Sequence, residues 1–276
     1  MRTAEDAVSI YTTHWGLRDT PFRDCHDPHL FYQSPTHDEA LARLHFLVDE
    51  RRRLGILMGP TGSGKSLLLE VFASQLRKKW IPVANLSLMG VESPELLQKL
   101  ALGLGLNGTR GDSIVYLWRR VLDRLLEFRY QQQVVVILLD DIDQASPVVL
   151  AQVTRLVQHD RSPQSRLTLV LAGRNDRMSH LGPELAELAE LRIDVEPWDE
   201  RDTDQYLKTA LAQAGCRREL FAPGAVARLH ELACGIPRRV TQLADLSLLA
   251  AAGRELPQVD AEVVESAYHE LGVTLV

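Results

Sequence analysis

The sequence is short of cysteine, of long apolar runs and of surplus positive charge. Only Cys25, Cys216 and Cys234 occur in 276 residues, an odd and widely spaced set that excludes a disulfide framework and fits reduced thiols. No stretch approaches the ~18 consecutive apolar residues of a membrane-spanning helix. The opening MRTAEDAVSIYTTHW lacks the basic region and apolar stretch of a secretory leader. A cytoplasmic chain without membrane insertion is therefore expected. A net charge of −6 and a pI near 5.9 argue against a globally basic nucleic-acid binder. Arg51, Arg52, Arg53 and the pair Lys78, Lys79 read as solvated basic clusters, so DNA binding stays open without support from charge. What is present is ordinary: 45% hydrophobic and 25% charged residues, enough for a substantial core without staples.

Strand-like runs recur at LGILMG (54–59), VANLSL (83–88), VVVILL (134–139), LTLVLAG (167–173) and LRIDV (191–195). Helical patterns lie between them, among them SPELLQKLALGLGL, for which Ser93 is the expected N-cap with Pro94 at the first helical position. Alternation of strands and helices predicts a mostly parallel sheet covered on both faces. After Pro197 no strand follows and the remainder reads as helices, with Gly215 and Gly235 as stops. The expected organisation is an entry segment with a first helix over 1–40, an α/β core over 41–197 and a helical lid over 198–276.

GPTGSGKS, residues Gly59, Pro60, Thr61, Gly62, Ser63, Gly64, Lys65 and Ser66, follows an apolar strand and opens a helix, the context a phosphate-binding loop requires. Backbone N–H groups there converge on phosphate, and the helix start adds its positive dipole end. Lys65 reaches the outer phosphates, Ser66 offers an oxygen to Mg²⁺, and Leu67 closes the segment.

VVVILLDDIDQA ends a strand in three acids. Beside a phosphate loop, Asp140 is the expected magnesium residue and Asp141 the residue that activates water. Asp143 is expected to cap the following turn or helix. No ABC-type signature such as LSGGQ is present.

Arginines are the remaining candidates. GIPRRV puts Arg238 in a helix's first turn, against the dipole, where a γ-phosphate would reverse the sign of the interaction. Arg174 and Asn175 end the fourth strand, where a polar group could touch the γ-phosphate or its attacking water. Arg192 is a candidate arginine finger toward a neighbouring subunit, with pairing to Glu190 or Asp194 as the alternative.

Phosphate loop, acid strand, polar strand end and a helical lid carrying GxPR occur in that order. The chain resembles AAA+ ATPases, and more narrowly the ExeA/GspA-type family associated with general secretion, whose relatives include TniB and TnsC-like transposition ATPases. The similarity runs from Tyr11 to about Leu271 and includes YTTHWGLRDTPFRDCHDPHLFYQSPTHDEALARL, FAPGAVARL and GIPRRVTQLAD. It implies a five-stranded P-loop NTPase sheet in the order 5-1-4-3-2, ATP and Mg²⁺ between core and lid, Lys65, Ser66, Asp140 and Arg238 in the family's nucleotide roles, and ATP-dependent homo-oligomers, as rings or filaments. The sequence departs from the family with Asp141 in place of Glu and Gly173-Arg174 in place of Gly-Gln. The shorter Asp141 carboxylate implies slow hydrolysis.

Two settings follow from the resemblance: a secretion or pilus-assembly accessory acting on a protein partner, peripheral at the inner membrane through that partner, and a DNA-associated transposition matchmaker. A nucleotide switch with little turnover is a third reading. Larger family members add a membrane span and a wall-binding domain, and an end after the lid suits a lone ATPase module. Near the start, Thr36 and Glu39 form an expected capping box. Cys25, His26, Asp27 and His29 read as turn chemistry around Asp27-Pro28 rather than a metal site.

Overall fold

Each of the five apolar runs becomes a strand because β-branched and leucine side chains alternate between two faces that are both covered. The computed structural model describes residues 11–22, 27–107, 111–160, 162 and 164–271. The expected turn at Cys25 and His26 lies outside them. Two compact units result: one from His26–Thr61 with Lys65–Glu196, the other from the described residues within Met1–Cys25 and Pro197–Val276 with Gly62–Gly64. The segment expected as an entry to the core is thus divided, with its first described part in the helical unit.

In the α/β unit, α1 (Pro35–Asp49) precedes β1 (Leu54–Gly59), α2 (Lys65–Lys78), β2 (Val83–Ser87), α3 (Ser93–Gly103) and α4 (Ile114–Tyr130). Then follow β3 (Val135–Asp140), α5 (Pro147–Gln158), β4 (Leu167–Arg174), α6 (Gly182–Leu188) and β5 (Leu191–Asp194). The strands form one sheet in the order β2-β3-β4-β1-β5, all pairs parallel, which is the order implied by the resemblance. Side chains divide strictly by register. Leu54, Ile56, Met58, Val135, Ile137 and Leu139 join a core with α3, α4 and α5. Leu57, Val136, Leu138, Val170 and Ala172 join the core with α1 and α2. Each fully buried Leu, Ile or Val side chain stabilises the unit by about 1.5–3 kcal/mol, so no single one decides the fold.

Two expected caps are displaced. α1 is capped by Ser34, whose hydroxyl accepts from the His37 amide, not by Thr36, whose Oγ1 accepts from the Glu196 amide at 3.2 Å. Glu39 instead pairs with Arg43 one turn on. α3 begins with Glu92 at the N-cap and no side-chain cap bond, while the Ser93 hydroxyl accepts from Gln152 Nε2. In both, a nearby hydroxyl is drawn into a tertiary bond or replaced by a better-placed serine.

The helical unit contains α7 (Glu200–Gln213), α8 (Pro223–Ala233), α9 (Pro237–Gly253) and α10 (Ala261–Glu270). Asp199 and Asp202 form a reciprocal capping box on α7, and Asp260 caps α10. The early segment is anchored here because Trp15 is buried and donates Nε1–H to Leu248 O at 3.2 Å, and Phe22 packs against Tyr206 and Phe221. A Cβ on Gly235 would lie 2.2 Å from Trp198 O, so only glycine fits the turn before α9.

Candidate nucleotide site

The parallel sheet fixes where the motif residues meet, because every strand's carboxyl end points the same way. β1 ends at Gly59, which registers with Arg174 on β4. β4 in turn lies between β1 and β3, so the acid-bearing strand is next but one to the phosphate loop.

The loop turns through Gly62 and Gly64 at φ +83° and +91°, values glycine adopts without steric cost. Pro60 and Thr61 precede this turn, Ser63 lies buried within it, and α2 starts at Lys65. The Lys65 ammonium is buried and donates to the carbonyls of Gly59 and Pro60, both at 2.9 Å. Burial holds its pKa below the ordinary lysine value, while the charges of Asp140, Asp143 and Asp141 oppose that fall. Ser66 follows, and its hydroxyl favours the charged form of the Asp140 carboxylate; Leu67 packs at the edge of the α1–α2 core.

Asp140 closes β3 and is buried. Burial raises its carboxyl above the ordinary range, the Ser66 hydroxyl pulls it down, and the charge of Asp141 pushes it up again. Asp141 adopts a left-handed conformation, φ 56° and ψ 35°. Its amide donates to Asp140 Oδ1 at 2.9 Å, and its Oδ2 accepts from the Ser87 hydroxyl at the tip of β2 at 2.7 Å.

Asp143 does not cap a helix. Ser146 caps α5, and Asp143 is buried in a short 3₁₀ turn. Its Oδ1 accepts from the Arg174 amide at 3.2 Å. Its Oδ2 is buried without a hydrogen-bond partner among the described residues. The turn packs so closely on β4 that a Cβ on Gly173 would lie 2.9 Å from Ile142 Cγ2 and 3.1 Å from Asp143 Oδ1. The role missed from sequence is therefore that of Asp143, which joins the tips of β3 and β4. The available signal was a third acid within four positions of the strand end.

The arginines divide. Arg174 grips Asp176 with Nε at 3.0 Å and Nη2 at 2.5 Å, a bond that raises its pKa further. Asn175 Oδ1 accepts from the Asp176 amide at 3.1 Å. Arg192, exposed on edge strand β5, is held by Asp194 at 2.8–3.0 Å, the pairing weighed as its alternative role. In the helical unit, Arg238 lies in the first turn of α9 behind Pro237, with no acid there. Its amide donates to Gly62 O at 3.2 Å.

Three carboxylates face one buried ammonium, a balance suited to an added divalent cation. Among the described residues, no three or more His, Cys, Asp or Glu side chains are grouped to hold a metal by themselves. One hydroxyl and one carboxylate are a fitting oxygen set for Mg²⁺, which takes few protein ligands and completes its shell with phosphate and water.

Residues 48–181 match the family model described as AAA domain. Over 269 residues, 96% of the chain, the sequence is 28% identical to General secretion pathway protein A of Aeromonas hydrophila, and it spans 49% of that protein's length. Among solved structures, Cdc6p from Pyrobaculum aerophilum superposes with a TM-score of 0.68 at 18% identity, covering 88% of this chain and 71% of that one. The Aeropyrum pernix ORC1 protein, solved in complex with DNA, gives 0.65 at 19%, covering 92% and 71%. The Thermotoga maritima RuvB Holliday junction branch migration motor gives 0.58 at 14%, covering 85% and 69%. At these identities the structural likeness establishes the fold.

Proposed function

We propose, for a chain that matches the AAA domain over residues 48–181 and is similar to General secretion pathway protein A along nearly its own whole length, that it binds Mg-ATP and hydrolyses it slowly at subunit interfaces. The cycle would then remodel or recruit a protein partner in secretion or pilus assembly. The observation that carries this reading is the phosphate loop itself, turning through Gly62 and Gly64 at positive φ with the buried Lys65 ammonium folded back on the carbonyls of Gly59 and Pro60.

In this reading the backbone N–H groups of residues 61–66 cradle the phosphates of ATP and Lys65 exchanges the carbonyls of Gly59 and Pro60 for phosphate oxygens. Ser66 and Asp140 would hold Mg²⁺, which when bound would supply neutralisation of phosphate charge. Asp141 accepts the proton of the attacking water, and to do so it must leave Ser87. That latch, together with a carboxylate one methylene shorter than Glu, supports slow turnover. Asp143 positions the Arg174–Asn175 tip through the Arg174 amide. Arg238 senses the γ-phosphate from α9, and Arg192, released from Asp194, serves a neighbouring subunit in a ring or filament.

A second reading has support of its own. The ORC1 protein was solved with DNA, so a DNA-associated matchmaker of transposition type fits the same ATPase module. Steady-state hydrolysis with size measurement, with and without ATP, tests the shared premise on wild type and Lys65→Ala. Nucleotide-dependent assembly and turnover in the wild type, both lost in the variant, are expected. ATP-stimulated, salt-sensitive DNA binding would select the second setting, and equal turnover in both proteins would overturn the premise.

A further inference from the structure

The opposite end of the sheet carries a feature unrelated to nucleotide chemistry. All five strands run parallel, so the segments that lead into them converge at one end, roughly 20 Å from the strand tips at the 3.3 Å rise of a parallel strand. Backbone bonds fix their neighbourhood: Val136 N donates to Pro82 O, Val135 N to Arg166 O, and Leu169 N to Arg53 O. Cations gather on these segments, among them Arg51, Arg52, Arg53, Lys78, Lys79, Arg129 and Arg166. Four carboxylates accompany them, Asp49, Glu50, Asp160 and Glu190, of which Glu190 is shared by Arg52 and Arg53 and Asp160 is held by Arg129. Arg51, Lys78 and Lys79 are exposed and have no acidic partner among the described residues, and Arg166 holds Gln132 rather than an acid.

Two aromatics flank these charges. Trp80, just past α2, is 88% exposed and Tyr130, ending α4, is 90% exposed. α2 and α4 cover opposite faces of the sheet, and Gln133 Nε2 donates to Trp80 O at 3.4 Å across the end between them. Exposing a whole indole and a whole phenol beside unpaired lysines has no packing rationale. An indole or phenol ring that is apolar with one polar handle belongs at a lipid headgroup layer, where lysine and arginine meet anionic phosphate.

We propose that the amino-terminal end of the sheet docks on an anionic lipid surface, with Trp80 and Tyr130 seated among the headgroups and Arg51, Lys78 and Lys79 on their phosphates. Two arguments favour lipid over a nucleic-acid strand. The cations come from separate segments straddling the sheet end rather than from a row along one groove, and the aromatics flank them rather than alternating with them as stacking platforms do.

The chain supplies its own reporter, because Trp15, Trp118 and Trp198 are at most 5% exposed and Trp80 alone of the four tryptophans faces solvent. Full-length protein is mixed with vesicles of phosphatidylcholine alone or with added phosphatidylglycerol, and intrinsic fluorescence and co-sedimentation are followed as salt is raised. A blue shift and pelleting with phosphatidylglycerol only, weakened by salt, are expected. The shift should vanish in Trp80→Phe while pelleting persists. Arg51→Ser/Lys78→Ser/Lys79→Ser, with unchanged melting, should lose roughly ten- to a hundredfold in partitioning. Equal binding to neutral vesicles, a shift with single-stranded oligonucleotide but none with vesicles, a shift that tracks protein concentration without lipid, or no shift at all would each overturn the proposal.

Discussion

Gly173→Ala is the perturbation that most directly probes how the acid strand and its neighbour are locked together. The added Cβ would stand 2.9 Å from Ile142 Cγ2, about 0.5 Å inside the usual carbon contact range. Neither neighbour yields easily: Ile142 is buried in the core, and Asp143 is tied to the Arg174 amide. Overpacking of this kind costs about 1–3 kcal/mol, and each kcal/mol lowers the melting temperature of a chain of this length by about 2–4 °C. The displaced 3₁₀ turn also carries Asp141 and Asp143 away from β4, so ATP hydrolysis should fall more than nucleotide affinity. Ile142→Ala by itself should cost about 2–4 kcal/mol, but combined with Gly173→Ala it opens room for the new methyl. The double variant should therefore be more stable than the sum of the singles by about 1 kcal/mol. Melting curves and initial rates on the four proteins decide it. Strict additivity, or a Gly173→Ala protein with wild-type stability and turnover, would refute the close packing argued for this turn.

Other outcomes follow from the same geometry. Asp141→Asn should retain ATP, accumulate ATP-bound assemblies and lose turnover, whereas Ser87→Ala, which frees the Asp141 carboxylate, should raise the basal rate; single-turnover phosphate release separates the two. Removing the α7 cap by Asp199→Ala should destabilise the helical unit by about 1 kcal/mol, read from denaturant midpoints. Arg228 bonds Glu265 across α8 and α10 and holds the Glu265 carboxyl below its ordinary 4.5 through that hydrogen bond. Because the folded value is depressed, this contribution is present above the unfolded value and is lost as pH falls through the folded one. Glu265→Gln should thus melt earlier than wild type at neutral pH and match it in acid; a constant gap at all pH values would exclude the linkage.

The site was legible in proportion to how local its chemistry is. GPTGSGKS carries strand, glycines, lysine and helix start within one contiguous stretch, so its structural context could be read directly. The five strands showed themselves through apolar runs, but their order came from family resemblance, since no local signal specifies which parallel strands pair. Asp143 was misplaced because its burial depends on Gly173, thirty positions away, coming close enough to cover it. The caps at Thr36 and Ser93 failed for the same reason: Thr36 and Ser93 were drawn into bonds with Glu196 and Gln152. Arg192 could be assigned from sequence only as finger or ion pair, and its geometry in the single chain is that of the ion pair with Asp194.

The central claim is that buried Lys65, Ser66 and Asp140 form a magnesium-dependent ATP site. Direct titration of ATP into wild type and Lys65→Ala, each with Mg²⁺ and with chelator, tests it. Saturable binding by the wild type that tightens with Mg²⁺ and disappears in Lys65→Ala is the predicted result. Equal ATP affinity in the two proteins, or binding indifferent to Mg²⁺, would contradict it.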